Sequence, residues 1–519
     1  MKKGLLLLFW SAMAVAQNNA GYQMPPKPLA DLVLAAPTPT VSVDSKSQWM
    51  LIMERNTATT TVSELSQPEL RLAGLRINPA TNGLSRAVYI NNLKLKKVAA
   101  NAPEIAVTGL PANAQIASIQ WSPDDSKIGF TNTADGKIEL YVVEVATATA
   151  RKVSSLALNA VLGQPYQWMS DNQSFVVRAI PAERGAAPEI SRVPTGPTLQ
   201  ENLGTKAQAA TYQDLLKNPA DEQLFEYYTT AQAMKVNLDG TVQKIGSSGL
   251  IATAAPSPDG KYVLVESIHR PFSYLVTVNR FPSKIDLFES NGIFVKTLTD
   301  NPLQENVPLG QDAVPTGQRN HNWRNDAPAT VYWVEALDGG DPKRKTDLRD
   351  AVLSLDAPFN GTPKEIYKAA YRFAGITWGN DQTALFSERW YSTRKAITKL
   401  VNPSNPNNAV VLFDRSSEDR YNNPGTPELK KNAYGQYVLD ITPTNEIYLT
   451  GQGASAEGDR PFVDLYNLNT KQTQRLWRSE APYFERPIAI LDAVKGLILT
   501  SRESNEEQPN YFIRNLKPT

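Results

Sequence analysis

The sequence predicts an all-β chain folded as a β-propeller of four-stranded blades, and three observations carry that prediction. The first is the stretch from Ile116 to Val153, which divides into four short β-rich runs separated by turn residues. Trp121, Ile128, Phe130, Leu140, Val142 and Val145 supply its apolar positions at period two. The second is the tight turn Ser122-Pro123-Asp124-Asp125. Proline presets φ there, and aspartate bonds its own backbone two residues on. The third is repetition. A Trp-x-x-Asp turn recurs at Trp121, Trp168 and Trp378, and Ser257-Pro258-Asp259-Gly260 repeats the proline form. Four strands in about 40 residues is the size of one blade. A sandwich of unrelated hairpins would have no reason to repeat this turn.

Weaker copies begin near Val41, Asn322, Leu439 and Ile488. Starts roughly 60 residues apart, against about 40–50 per blade, put the excess length in loops. The expectation is seven or eight blades, with eight favoured by the count. The last blade shows Ile488 to Leu491, Gly496 to Arg502 and Tyr511 to Leu516, and no clear fourth strand.

Met1 to Ala16 reads as a secretory signal peptide. Lys2 and Lys3 are its basic end, Leu5 to Trp10 its apolar run, and Ala14-Val15-Ala16 a small-x-small cleavage site. The run is too short to span a bilayer, and no cysteine follows for a lipid. The expected location is the periplasm or the outside of a bacterial cell. With 53 basic and 52 acidic residues the net charge is +1, which offers no bulk attraction for nucleic acid or an anionic membrane. The chain has no cysteine, so thiolate zinc sites are excluded. Residues 17–40 form a Pro-rich lead-in with one helical turn, Leu29 to Leu34, and the propeller domain covers 41–519.

Three regions depart from the repeat. Glu64 to Leu72 reads as a loop packed on the propeller. The longest insertion, about 181–230, opens with a polar loop and continues with helical spacing over Ala209 to Lys217 and Glu222 to Tyr228. Long insertions in repeat proteins gather on one face, where binding happens. Residues 267–288 mix Arg270 and Arg280 with aromatics.

The sequence holds little catalytic chemistry. Its histidines are His269 and His321. A serine nucleophile sits in a Gly-x-Ser-x-Gly elbow between strand and helix. The nearest string, Gly453-Ala454-Ser455-Ala456-Glu457-Gly458, is one residue too long and leads into no helix. It reads as a polar hairpin loop, and both histidines read as hydrogen-bonded structural residues. Asp338-Gly339-Gly340-Asp341 lacks the spaced acids of a calcium loop and reads as a Gly-rich turn. Lys343-Arg344-Lys345 reads as a solvated face. No metal, cofactor or catalytic residue is therefore assigned.

Long strings nonetheless resemble one family. Met24 to Leu32, Gln67 to Pro79, Thr81-Asn82-Gly83, Trp333 to Lys345, Arg502-Glu503-Ser504 and Pro509 to Phe512 are similar to the amino-terminal region of bacterial and plastid glutamyl endopeptidases, of the prolyl oligopeptidase family of serine peptidases. The resemblance implies a propeller followed by an α/β-hydrolase domain that carries Ser, Asp and His. No residue here matches those three. The expectation is the substrate-gating propeller of a peptidase, from a truncated or split gene or paired with a separate hydrolase chain. A stand-alone exported propeller that binds a peptide, a glycan or a protein is the alternative. The face that would meet a hydrolase is expected to carry Arg270, Arg280, Arg389 and Arg502 as holders of an acidic peptide.

Overall fold

The computed structural model of the chain describes residues 23–57, 59–189, 196, 211–308 and 310–516. Met1 to Ala16 lies outside them. Several blades start with the same local chemistry. In the turn after its first strand, the Oγ of Ser122 donates to Asp124 and that of Ser257 to Asp259, both at 2.7 Å. The next residue is left-handed, with φ of +64° at Asp125 and +72° at Gly260. Asn172 and Asn445 occupy the same place in other blades, at +57° and +60°. Glycine, asparagine and aspartate accept this backbone at least cost, which is why they mark the repeat.

Eight blades follow. Blade 1 is Thr40–Val43, Trp49–Glu54, Asn92–Lys97 and Glu104–Ala106. Blade 2 is Ile116–Trp121, Lys127–Ala134, Lys137–Glu144 and Thr149–Lys152. Blades 3 and 4 share one seven-stranded sheet. The long strand Val242–Pro256 pairs first with Ala231–Asn237 as the outer edge of blade 3. It then pairs with Tyr262–Ile268 as the first strand of blade 4, which continues with Ser283–Glu289 and Phe294–Asn301. Blade 5 spans Gln318–Trp323 to Lys364–Ala369, and blade 6 spans Arg372–Asn380 to Val410–Ser416. Blade 7 centres on Glu446–Gly451 and Phe462–Asn467, with its first part interrupted by a hairpin, Leu429–Lys431 against Tyr437–Leu439. Blade 8 has three strands, Phe484–Asp492, Leu497–Glu503 and Asn510–Asn515. The incomplete last blade and the count of eight match the sequence expectation.

The tryptophans of the turn join one blade to the next. Trp121 Nε1 donates to Ser42 Oγ of blade 1 at 3.0 Å, and Trp168 Nε1 to the Gln120 carbonyl of blade 2 at 3.3 Å. Trp378 closes the first strand of blade 6 and stacks under the Arg324 guanidinium of blade 5, 4.5 Å away. These three therefore hold equivalent places. Trp323 is a fourth, donating to the Ala255 carbonyl of blade 4 at 2.9 Å. Such a bond contributes about 1 kcal/mol net, but an indole N–H buried without it costs more.

Apolar clusters fill the interfaces between successive blades. Leu51, Leu93 and Leu95 of blade 1 meet Ile128 and Phe130 of blade 2, all fully buried. Further clusters join blades 2 and 3, 3 and 4, 4 and 5, 5 and 6, 6 and 7, and 7 and 8. Among the described residues no such cluster joins blade 8 to blade 1, and no sheet combines strands from the two ends of the chain. The ring has one seam without the cement used elsewhere.

Two local expectations are corrected. Glu64 to Leu72 is not plain loop: a helical turn, Val62–Leu65, leads into a ribbon of Leu70–Leu72, Leu75–Asn78 and Gly83–Leu84. Only one insertion helix forms among the described residues, Pro219–Thr229. Within the expected helix Ala209 to Lys217, residues 211–217 are turns, and 209–210 lie outside the described residues. Asn218 caps the real helix by accepting the Asp221 N–H, and Pro219 opens it. The expected helical turn in the lead-in is present as Lys27–Val33.

Candidate functional site

The connections between second and third strands lie on one face of the ring, and the sequence loads that face unevenly. Over blades 1 to 4 it builds a raised apolar layer. Leu72, Ala73 and Ile77 of the ribbon pack with Phe225 and Tyr228 of the insertion helix and with Val276 and Phe281 of blade 4. Phe225 is fully buried and meets Phe272 and Phe281 edge to face, with ring centroids 5.1 and 5.6 Å away. Gly74, at φ +85°, lets the ribbon turn against Thr277, where a Cβ would come within 2.5 Å of the threonine methyl. The two longest insertions thus meet on one face, as expected of binding loops.

Arg270 and Arg280 belong to this layer. Arg270 Nε donates to Glu226 at 2.7 Å, a terminal nitrogen donates to Glu222, and the guanidinium lies over Phe272. Two carboxylates of the helix therefore already neutralise it, and they raise its pKa. Tyr274 Oη donates to the same Glu222, and its pKa is pushed up to about 12 by burial and then by that carboxylate. Arg280 differs: its Nη1 is buried without a hydrogen-bond partner among the described residues.

Over blades 5 to 8 the face is low and charged. Arg372, with a side chain 3% exposed, donates to both carboxylate oxygens of Asp338 at 2.9 and 2.7 Å and to Asp350 at 3.0 Å. Arg349 also pairs with Asp338, and Arg319 with Asp350. Burial alone would raise the pKa of Asp338, but the hydrogen bonds from Arg372 and Arg349 outweigh it and hold the carboxyl below its ordinary value. The stretch read as a Gly-rich turn is thus the acidic half of a buried ion network joining blades 5 and 6. Gly340 is required there, because a Cβ at φ +74° would lie 2.0 Å from the Val314 carbonyl. Arg319, Arg349, Arg372 and Asp350 were not singled out from sequence.

Arg389 and Arg502 stand on the low side. Arg389 is exposed near the end of Thr383–Trp390, with no ion pair among the described residues. Arg502 is sandwiched between Tyr483 and Phe512, 4.0 and 4.3 Å from their centroids, and pairs with Glu507 at 2.8 Å. Its Nε is buried and unpartnered. It lines an open cavity of 670 Å³ with Arg475, Arg478 and Arg514, between blades 7 and 8. The four candidate arginines therefore share a face but spread over blades 4, 6 and 8, and the structure brings only Arg270 and Arg280 near one another.

The residues weighed for catalysis are otherwise occupied. His269 bonds the Arg270 carbonyl and Asp300, each at 2.7 Å. His321 is stacked on Trp333 and bonded to Gln318, and burial lowers its pKa to about 4. Ser455 donates to the Gly458 carbonyl within a two-stranded hairpin. No serine is among the hydrogen-bond partners of either histidine. Among the described residues no group of three or more His, Asp or Glu side chains is placed to hold a metal ion. No described helix is long and apolar enough to cross a membrane.

The fold and this face define a β-propeller, and the comparisons relate it to peptidases. The chain is 38% identical over 523 residues to the probable chloroplastic glutamyl endopeptidase of Oryza sativa subsp. japonica, which aligns 95% of this chain with 55% of that one. It is 36% identical over 525 residues to that of Arabidopsis thaliana, with 96% and 54% aligned. The chain spans about half the length of the curated relatives it matches. Solved structures similar to it include a prolyl endopeptidase, with TM-score 0.43, 11% identity, and 90% of this chain and 55% of that one covered. The β-propeller domain of the Trilobed protease from Pyrococcus furiosus gives 0.38, 8%, 78% and 98%. No family model matches the sequence. Homology over nearly its whole length makes this chain a peptidase-related β-propeller.

Proposed function

We propose that this chain is the propeller portion of an exported glutamyl endopeptidase-like serine peptidase. It admits and orients peptides for a hydrolase domain, carried on a longer polypeptide or on a separate chain, and does not cleave them by itself. The observation that supports this most is the match to glutamyl endopeptidases over 95% of this chain and 55% of the rice relative. The inventory of the described residues agrees, because general-base activation of a nucleophile needs the two groups within hydrogen-bond reach. Arg502 lines the open cavity between blades 7 and 8 with Arg475, Arg478 and Arg514, a basic surface suited to a peptide carboxylate. Arg389 adds an unpaired charge, whereas Arg270 is already neutralised.

The test pairs an activity assay with a binding assay on the purified mature chain. Glu-containing fluorogenic peptides are expected to show no turnover sensitive to a serine-directed inhibitor. An acidic peptide is expected to bind, as read by fluorescence anisotropy, and to bind several-fold more weakly to Arg389→Ala and Arg502→Ala. Turnover that Ser455→Ala abolishes would overturn the reading.

A further inference from the structure

The hairpin Leu429–Lys431/Tyr437–Leu439 leaves blade 7, where Leu439 joins the core with blade 6, and its tip makes polar contacts far around the ring. Lys431 Nζ donates to the Ser122 carbonyl of blade 2 at 2.7 Å and pairs with Asp125; the two side chains are 10% and 2% exposed. Gly435 lies so close to Pro123 that a Cβ would meet the proline ring at 2.1 Å. Asn432 Nδ2 donates to the Asn325 carbonyl of blade 5 at 2.7 Å, and Asn325 Nδ2 returns a bond to the Tyr437 carbonyl at 3.0 Å. The hairpin packs on the first strand of blade 6 at its base, where Leu439 lies against Gly379, and its tip reaches blade 5 through Asn432 and blade 2 through Gly435, so that it crosses the mouth between them.

Its partners are the turns between first and second strands, which ring one mouth of the propeller. They are linked to each other in the same region: Ser45 of blade 1 donates to Asp125, and Asp124 N–H donates to Asn172 of blade 3 at 2.8 Å. The space left between hairpin and blades 1 to 3 is an open cavity of 270 Å³.

We infer that this hairpin is the clasp of the ring: by fixing blade 7 to blade 2 through a buried ion pair, it holds shut the blade 8 to blade 1 seam, which among the described residues has neither strand pairing nor an apolar cluster, and it stoppers the mouth it crosses. The inference does not depend on the peptidase reading. It follows from where the two ends of the hairpin are bound and from what the seam lacks. Lys431 acts as a positioning residue for the seam. Removing its charge leaves Asp125 buried with only the Ser45 hydroxyl, which breaks the attachment to blade 2 at a site remote from blade 8.

Amide hydrogen exchange on the purified mature chain tests the clasp. In Lys431→Met, exchange is expected to be at least tenfold faster in Trp49–Glu54 and in Leu497–Glu503, strands that the hairpin does not touch. Gly435→Ala, which drives the hairpin off Pro123 without altering a charge, is expected to give the same pattern. Asn325→Ala, which removes a bond to blade 5 and none within the hairpin, is expected to leave the seam unchanged. Acceleration confined to the hairpin and to Ser122–Lys127 in both Lys431→Met and Gly435→Ala overturns the inference.

Discussion

Blades 1 to 4 and blades 5 to 8 present the same kind of connection on the same face, yet they cement it with opposite chemistry. The first half uses hydrocarbon: Ile77, Phe225, Val276 and Phe281 close a layer that stands above the ring. The second half uses charge: Arg372, Asp338, Asp350, Arg349 and Arg319 lock blade 5 to blade 6 within the ring. The difference separates two tasks. An apolar layer forgives small shifts, because its contacts are many and undirected. A buried ion network fixes one geometry and fails as a unit, because each removed partner strands another charge.

The largest effect should come from breaking that network. Arg372→Ala leaves two buried aspartates short of a partner and is expected to destabilise the chain by about 3–5 kcal/mol. Thermal unfolding should report it, and raising the salt concentration should not mimic it, because buried pairs are poorly screened. Phe225→Ala is expected to cost about 3 kcal/mol in the apolar layer. Proteolysis should then cut the insertion and ribbon first while the blades persist, the reverse of the order expected for Arg372→Ala.

The smallest effect is a pH dependence confined to the charged half. His321 is held at about 4, below its ordinary value, because burial disfavours the charged ring. Its unfolded form therefore binds a proton first, so stability is lost as the pH falls from about 6.5 towards 4. Only below that range does protonation of Asp338, whose pKa is lowered in the fold, remove more. His321→Phe keeps the stack on Trp333 and is expected to flatten stability between pH 6.5 and 4.5, by about 2 kcal/mol at the acid end. Denaturant titrations at both pH values measure it, and an unchanged slope would place the acid sensitivity elsewhere.

What could be read from the sequence was what repeats locally. Trp121, Trp168 and Trp378 sit at a fixed offset from a turn aspartate, so chemistry a few residues long announced each blade. The three strands described for the eighth blade were legible for the same reason. The insertion helix was half legible: its true start is marked by Asn218, Pro219 and two acids in the first turn, while leucine spacing upstream suggested a helix that residues 211–217 do not form. The ion network and the hairpin clasp escaped because their partners are distant. Arg372 meets Asp338 across 34 positions, and Lys431 meets Asp125 across 306. No periodicity links such pairs, and an isolated lysine in Leu429-Lys430-Lys431 reads as solvated until the fold buries it. The four candidate arginines lie at or beyond the ends of second strands, but nothing in one sequence says that helix carboxylates already neutralise Arg270.

The backward reach of the tryptophans has a consequence in time. Each indole N–H finds its acceptor on the blade made just before it: Trp121 on Ser42, Trp168 on Gln120, Trp323 on Ala255. A chain emerging from its amino end therefore meets each of these three acceptors on a blade already made, and none of the three indoles waits for a later blade. Assembly is a zipper with a direction, in which an error at one blade is inherited by those after it and not by those before. The rule holds at blades 2, 3 and 5, so these are the joints whose order of formation the indoles set.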